Sequence, residues 1–135
     1  MSSNSSQIRA NIQKAAQVDI PKALAKGIEQ ACLTVERSAK SNAPVQSGAL
    51  RSSITHKVNI GSLEGTIGSS IDYAPYVEIG TGIYSSMGGG RQGGWKYVDA
   101  SGQGHFTMGS RPQPFLKPAV DTNISAILKC FEGLL

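Results

Sequence analysis

The stretch Asn42-Ala43-Pro44-Val45-Gln46-Ser47-Gly48-Ala49-Leu50-Arg51-Ser52-Ser53-Ile54 is where one apolar periodicity stops and another starts. Pro44 has no amide hydrogen and pushes Ala43 out of the α region, so a helix arriving from upstream has to finish at about Asn42 or Ala43. Gly48 supplies the backbone freedom for the next bend, so Gly48→Val is expected to interfere with folding. From Ser52 the period changes from about 3.6 to about 2, which predicts a hinge between two layers of one domain, with Leu50 in the core where helix meets sheet.

Upstream, Leu24, Ile28, Ala31, Cys32, Val35 and Ala39 recur at spacings of three and four, while Lys22, Lys26, Glu29, Glu36, Arg37 and Lys40 take the other face. This predicts a central helix over about Pro21 to Ser41, started by Asp19 as cap and Pro21 in the first turn. Before it, Ser6 to Val18 is weakly helical, with Ile8, Ile12, Ala15 and Ala16 on one side, and is expected to fray. Downstream, Ile54, His56, Val58 and Ile60 alternate with polar residues, which predicts a strand with one buried face. Gly61-Ser62 and Glu64-Gly65 would make the turn and Thr66-Ile67-Gly68 the antiparallel return. His56 falls on the apolar side and reads as a hydrogen-bonded core residue rather than a ligand.

In Asp72-Tyr73-Ala74-Pro75-Tyr76-Val77-Glu78-Ile79-Gly80-Thr81-Gly82, Asp72 would cap a short helix that Gly80 and Gly82 end. Tyr73, Tyr76, Val77 and Ile79 would pack it on the central helix. Of 16 glycines, ten lie between Gly80 and Gly109. The run Met87 to Gly94 has too little apolar surface to order itself. Beyond it, Trp95-Lys96-Tyr97-Val98 and His105-Phe106-Thr107-Met108 flank a turn, so residues 83–109 read as a flexible arm carrying an aromatic hairpin. Arg111-Pro112-Gln113-Pro114-Phe115-Leu116-Lys117-Pro118 leads, extended, into one last helix with Leu116, Ala119, Val120, Ile124, Ile127, Leu128, Phe131 and Leu134 as its stripe.

At 135 residues the chain is the size of one domain (1–135), able to bury roughly 68% of its unfolded surface. The resulting fold class is α+β, a long central helix and a C-terminal helix on a small antiparallel sheet. Net charge of +4 is too weak an excess to announce nucleic-acid binding. Its distribution is informative: basic up to residue 60, acidic at Glu64, Asp72 and Glu78, basic again at Arg91, Lys96, Arg111 and Lys117. The first residues show no basic leader before an apolar run, and nothing approaches the ~20 apolar residues of a membrane span, so the chain is expected to stay in the cytoplasm. Cys32 and Cys130 read as small core hydrophobes in a reducing compartment. Paired carboxylates, HExxH, GxSxG, a phosphate loop and a dinucleotide fingerprint are missing, and a pair such as Ser110 with His105 has nothing to orient it. No enzyme, cofactor or metal site is expected.

Three motifs in order, Ala43-Pro44 with Ser47 to Ile54, then Asp72 to Gly82, then Arg111 to Ala119, resemble the tail-completion or head-tail joining family of long-tailed bacteriophages and prophages, with the minor tail protein Z family a more distant relative. The resemblance spans about Ala25 to Val120, and its structural positions here are Pro44, Gly48, Leu50, Tyr73, Tyr76, Gly80, Gly82, Pro114 and Phe115. The insert with Trp95, Tyr97, Asp99, His105-Phe106-Thr107 and Gly109 is similar to a longer-loop version in prophages of Gram-positive bacteria. What the resemblance implies is a subunit of a ring in the virion neck or upper tail, in contact with copies of itself and other neck and tail proteins, near the genome DNA and not in a membrane. The contact candidates are Arg51, facing Asp72 or Glu78 of its own or the next subunit, together with Arg91, Trp95, Tyr97, Phe106 and Arg111. The competing reading is a basic nucleic-acid module using Arg51, Lys57, Arg91, Lys96 and Arg111 on phosphates and Trp95 and Tyr97 on bases. Salt separates the two, since phosphate binding weakens steeply with it.

Overall fold

Residues 2–42 run as one helical stretch in the computed structural model, which describes residues 2–44 and 48–133. Val45, Gln46 and Ser47 of the hinge and Leu134 of the last stripe lie outside the described residues. The helical stretch comprises α1 (Ser2–Lys14), a π-helical turn (Ala15–Asp19) and α2 (Ile20–Asn42). The sequence predicts a fresh start at Asp19, but Asp19 has helical angles and no side-chain capping bond. The reason is Pro21: its ring would crowd the carbonyl of Gln17 in a regular helix, and the π turn, closed by the Ile20 amide donating to the Ala15 carbonyl, absorbs the misfit without ending the helix.

The other end behaves as Pro44 dictates. Ala43 is extended (φ −62°, ψ 142°) after its amide donates to the Ala39 carbonyl at 3.0 Å. After the hinge, Gly48–Ser53 forms a short helix, α3, before the strand begins at Ile54. Gly48 is exposed there, and a Cβ on it would meet nothing within 4 Å among the described residues, so the expectation that Gly48→Val interferes with folding rests on backbone freedom alone and not on lack of space. Leu50 is fully buried.

β1 (Ile54–Asn59) pairs antiparallel with β2 (Glu64–Ser69), His56 opposite Ile67. The turn starts one residue earlier than expected and ends two earlier: Leu63 takes the left-handed conformation (φ 55°), Glu64 and Gly65 belong to the strand, and Ile60 is exposed beyond the end of β1. The sheet lies on α2, whose buried face is made of small residues: Ala25, Gly27, Ala31, Cys32, Val35 and Ala39. Close approach follows. A Cβ on Gly65 would overlap Cys32 Sγ and come within 2.7 Å of Ile28, and one on Gly27 would sit 2.8 Å from the Phe131 ring.

α4 (Ala74–Ile79) comes next, followed by a 3₁₀ turn (Gly82–Tyr84), then the hairpin β3 (Trp95–Val98) and β4 (Gly104–Thr107). The expected single C-terminal helix is two, α5 (Leu116–Asp121) and α6 (Ile124–Lys129). The break has a local cause: Asn123 Nδ2 donates to the Ala119 carbonyl at 2.7 Å, the acceptor its own amide would use, and that amide turns to the Val120 carbonyl at 3.1 Å, while Thr122 Oγ1 adds a second bond at 2.7 Å to the Pro118 carbonyl that its amide already meets. Val35, Ala39, Ala43, Leu50, Ile54, Ala74, Phe115 and Ala119 form the buried cluster, edged by Ile67, Val77, Leu116 and Ile127. The architecture is α+β, as the change of period predicts, with two separate two-stranded sheets among the described residues.

Candidate functional site

The chain leaves the core at Gly80 and returns at Pro112, and the two strands of this exit lie backbone on backbone. Thr81 N–H donates to the Ser110 carbonyl at 2.9 Å, Ile83 N–H to the Met108 carbonyl at 3.1 Å, and Ser110 N–H to Thr81 Oγ1 at 2.8 Å. Gly80 (φ 80°) and Gly82 (φ 60°) are required: a Cβ on the first would come within 2.8 Å of the Ser110 carbonyl and one on the second would overlap the Met108 carbonyl. α4 is anchored by Ala74, which is buried, and by Val77; Tyr73 and Tyr76 are exposed, contrary to the expectation that they pack on α2. Asp72 is exposed and makes no capping bond, and the residue ahead of α4 is Tyr73.

Glu78 does something its sequence context does not announce. Its Oε2 accepts from the amides of Phe115 (2.7 Å) and Leu116 (3.0 Å), and its Oε1 from that of Lys117 (2.9 Å). One carboxylate on α4 therefore satisfies the first amides of α5, which have no helical acceptor, and places negative charge at the positive end of that helix. Among the described residues neither Glu78 nor Asp72 is ion-paired with Arg51, which is exposed on α3. With Glu78 engaged inside the chain, the acidic stretch shows only Glu64 and Asp72 to solvent.

The hairpin has Trp95 opposite Thr107, Lys96 opposite Phe106 and Tyr97 opposite His105. Strand alternation therefore puts Trp95 and Tyr97 on one face and Phe106 on the other, so the three aromatics do not form one patch. Tyr97 is 46% exposed, Phe106 63% and Val98 68%, while Trp95 is half-buried. Arg91 lies over the Trp95 ring at 5.7 Å, and both line a hollow of about 530 Å³ with Tyr76, Ile79 and Thr81; Arg111 lies over Tyr84 at 4.8 Å. Pro114 is exposed and Phe115 fully buried.

Asp99 builds the turn of the hairpin. Its Oδ1 accepts from the Ser101 hydroxyl (2.6 Å) and amide (2.9 Å) and from the Gln103 amide (2.9 Å), and its Oδ2 meets His105 Nε2 at 2.7 Å. The Ser101 hydroxyl first, and His105 next, hold this carboxyl down at about 2, so it stays ionised at any ordinary pH. His105 is thus oriented, contrary to the expectation for it, and stacks on Tyr97 with ring centroids 5.2 Å apart. No hydrogen bond joins it to Ser110 among the described residues, whose amide serves Thr81 instead.

His56 ties β1 to α2. Nε2 meets Glu29 Oε1 at 2.6 Å and Nδ1 faces Glu36 Oε2 at 3.4 Å, with the side chain 14% exposed. The Glu29 hydrogen bond raises the imidazole above its usual value, burial opposes this, and the charges of Glu29 and Glu36 add to the rise. Because the folded value is the higher one, the stabilisation is complete below the unfolded value of about 6.5 and is lost as pH rises through the folded one. We expect the melting temperature of the protein, relative to His56→Gln, to fall between about pH 6 and pH 9. An unchanged difference across that range would remove the clamp. Burial first, then the same glutamates, pushes the Cys32 thiol up, away from reactive thiolate; Cys130 is half-buried, its Sγ 3.3 Å from the Ala126 carbonyl.

Among the described residues no three His, Cys, Asp or Glu side chains are placed to hold a metal ion, and no helix is long and apolar enough to cross a membrane. The family model described as "Bacteriophage HK97-gp10, putative tail-component" matches residues 6–80. The match takes in α1 to α4, including the hinge and the segment ending at Gly80, and stops short of the arm and of Arg111 to Ala119. Nothing matches among curated proteins or among solved structures.

Proposed function

The chain belongs to the HK97-gp10-like family of bacteriophage tail components, and from that premise we propose that it is a head-tail joining, or tail-completion, subunit that works by forming a ring in the virion neck or upper tail. Its partners are copies of itself and the adjoining neck and tail proteins. Repeating one subunit about an axis puts unlike surfaces of neighbours together, which suits a chain whose basic and acidic residues fall in separate segments, Glu64 and Asp72 being the exposed acids of the middle one. Rim ion pairs contribute only about 0–1 kcal/mol each, so the main attraction has to be apolar.

The observation that carries this reading is the hairpin arm: Tyr97, Val98 and Phe106 stay largely in water on an element anchored to the body by the Gly80–Gly82 crossing. Aromatics presented this way suit a subunit contact. The glycines of the run from Met87 to Gly94 make fixing that loop costly without a partner surface, so contact and the fixing of the loop occur together. The test is sedimentation at several concentrations, from about 1 to 100 µM, alone and beside the neck partners. The protein is expected to form a discrete larger species, and Tyr97→Ala/Phe106→Ala, one aromatic from each face, to stay folded and associate about tenfold or more weakly. Unaltered association of that variant removes the arm as the contact. A protein that remains monomeric with its partners at the highest concentration removes the ring.

A further inference from the structure

We propose a second subunit contact, in which α1 of one copy lies along the α5–α6 face of the next; it rests on the self-assembly reading above but involves no residue of the arm. Every described side chain of α1, residues 5–14, is exposed, and α1 makes no substantial contact with any element beyond its own continuation. Yet the helix carries two large apolar residues. Ile8 and Ile12, 60% and 63% exposed, stand one turn apart on one side of it. A second unpartnered patch lies on α5–α6: Ile124 and Leu128 stand one turn apart on α6 and are exposed, and Val120 is exposed at the end of α5, across the break at Thr122-Asn123.

A chain cannot close these two strips on each other. α1 runs on from the amino end of α2 through an unbroken helical stretch, while the C-terminal segment is fixed against α2 with Phe131 at Gly27, so α1 would have to break the helix to turn back. Between Ser2 and Val18 the only charges are Arg9 and Lys14, so two α1 helices meeting each other would set like charges together. The α5–α6 segment offers no such excess of one sign: Lys117 is paired with Asp121 at 2.9 Å, and the segment carries Glu132 as well as Lys129. The occupant that fits is therefore a neighbouring copy, joined head to tail, which is the type of contact a closed ring repeats.

The experiment uses the full chain with Cys32→Ala and Cys130→Ala as background. One preparation carries Ile12→Cys, the other Leu128→Cys, and they are mixed under mild oxidation. A disulfide-linked dimer is expected in the mixture and in neither preparation alone. In parallel, Ile8→Glu/Ile12→Glu is expected to melt with the wild type and to self-associate about tenfold or more weakly. A dimer from Ile12→Cys alone overturns the proposal in favour of α1 pairing with itself. A normal oligomer with no mixed disulfide, and with the double Glu variant assembling as the wild type does, overturns it while leaving the ring intact. A wild type that does not associate at all overturns both.

Discussion

Leu50→Asp is expected to give a chain that does not fold. Leu50 has no exposed surface and lies with Ile54 and Phe115 in the cluster that joins α2, α3, β1 and α5. Removing its side chain alone should cost about 2–5 kcal/mol, the range for leucines replaced by alanine in packed cores. The aspartate adds a carboxylate with no partner in an apolar site, worth several kcal/mol more whether it stays charged or takes up a proton. The sum reaches the ~5–15 kcal/mol that holds such a domain together. Leu50→Ala is the control, folded but melting lower by roughly 10 °C. Circular dichroism and a thermal melt decide it, and a Leu50→Asp protein melting within a degree or two of the wild type would remove Leu50 from the core.

Glu78→Ala should be the most damaging substitution of a charged residue. It withdraws one acceptor from three amides at once, those of Phe115, Leu116 and Lys117, two of them on residues that are buried or half-buried. Hydrogen bonds to a charged acceptor contribute about 1.5–3 kcal/mol each in isolation, and bonds that share one carboxylate do not add, so about 2–4 kcal/mol is expected for the set. Glu78→Gln keeps one accepting oxygen and should recover part of the loss. The readout is the midpoint of denaturant unfolding; a midpoint equal to that of the wild type would mean that α5 finds its cap elsewhere.

The helix end at Ala43, the existence of a change of period after the hinge, the buried Leu50 and the aromatic hairpin were all legible, because each rests on a local rule: a missing amide, an alternation, a turn between two apolar runs. The change itself, expected from Ser52, comes at Ile54 because Gly48–Ser53 is helical. What was hidden depends on partners far away in sequence. Glu78 reaches backbone amides 37 to 39 residues on, and backbone amides leave no trace in the identity of the residue that carries them. Gly65 looked like a turn glycine and serves to let β2 close on Cys32. Two errors came from signals that were visible and carry two meanings. Pro21 suits a helix start and also a π turn, and Thr122-Asn123 suits a helix surface and also a break where both side chains bond back to the preceding turn. The faces of the contact candidates were hidden too: the residue types do not announce the register, which places Phe106 on the face opposite to that of Trp95 and Tyr97.

The crossing at Gly80, Thr81 and Ser110 also bears on how such a protein can diversify. Because the two ends of the excursion are pinned to each other by main-chain hydrogen bonds, the body meets what lies between them at few places, chiefly the Ser86 amide on the Ile79 carbonyl and the hollow shared with Arg91 and Trp95. Lengthening a flexible loop with fixed ends costs only about 0.6 kcal/mol per doubling, so insertions and deletions there are thermodynamically mild. The arm is in effect an interchangeable cassette on a constant socket, free to be rewritten for a new neighbour while α2, the sheet and α5 stay as they are.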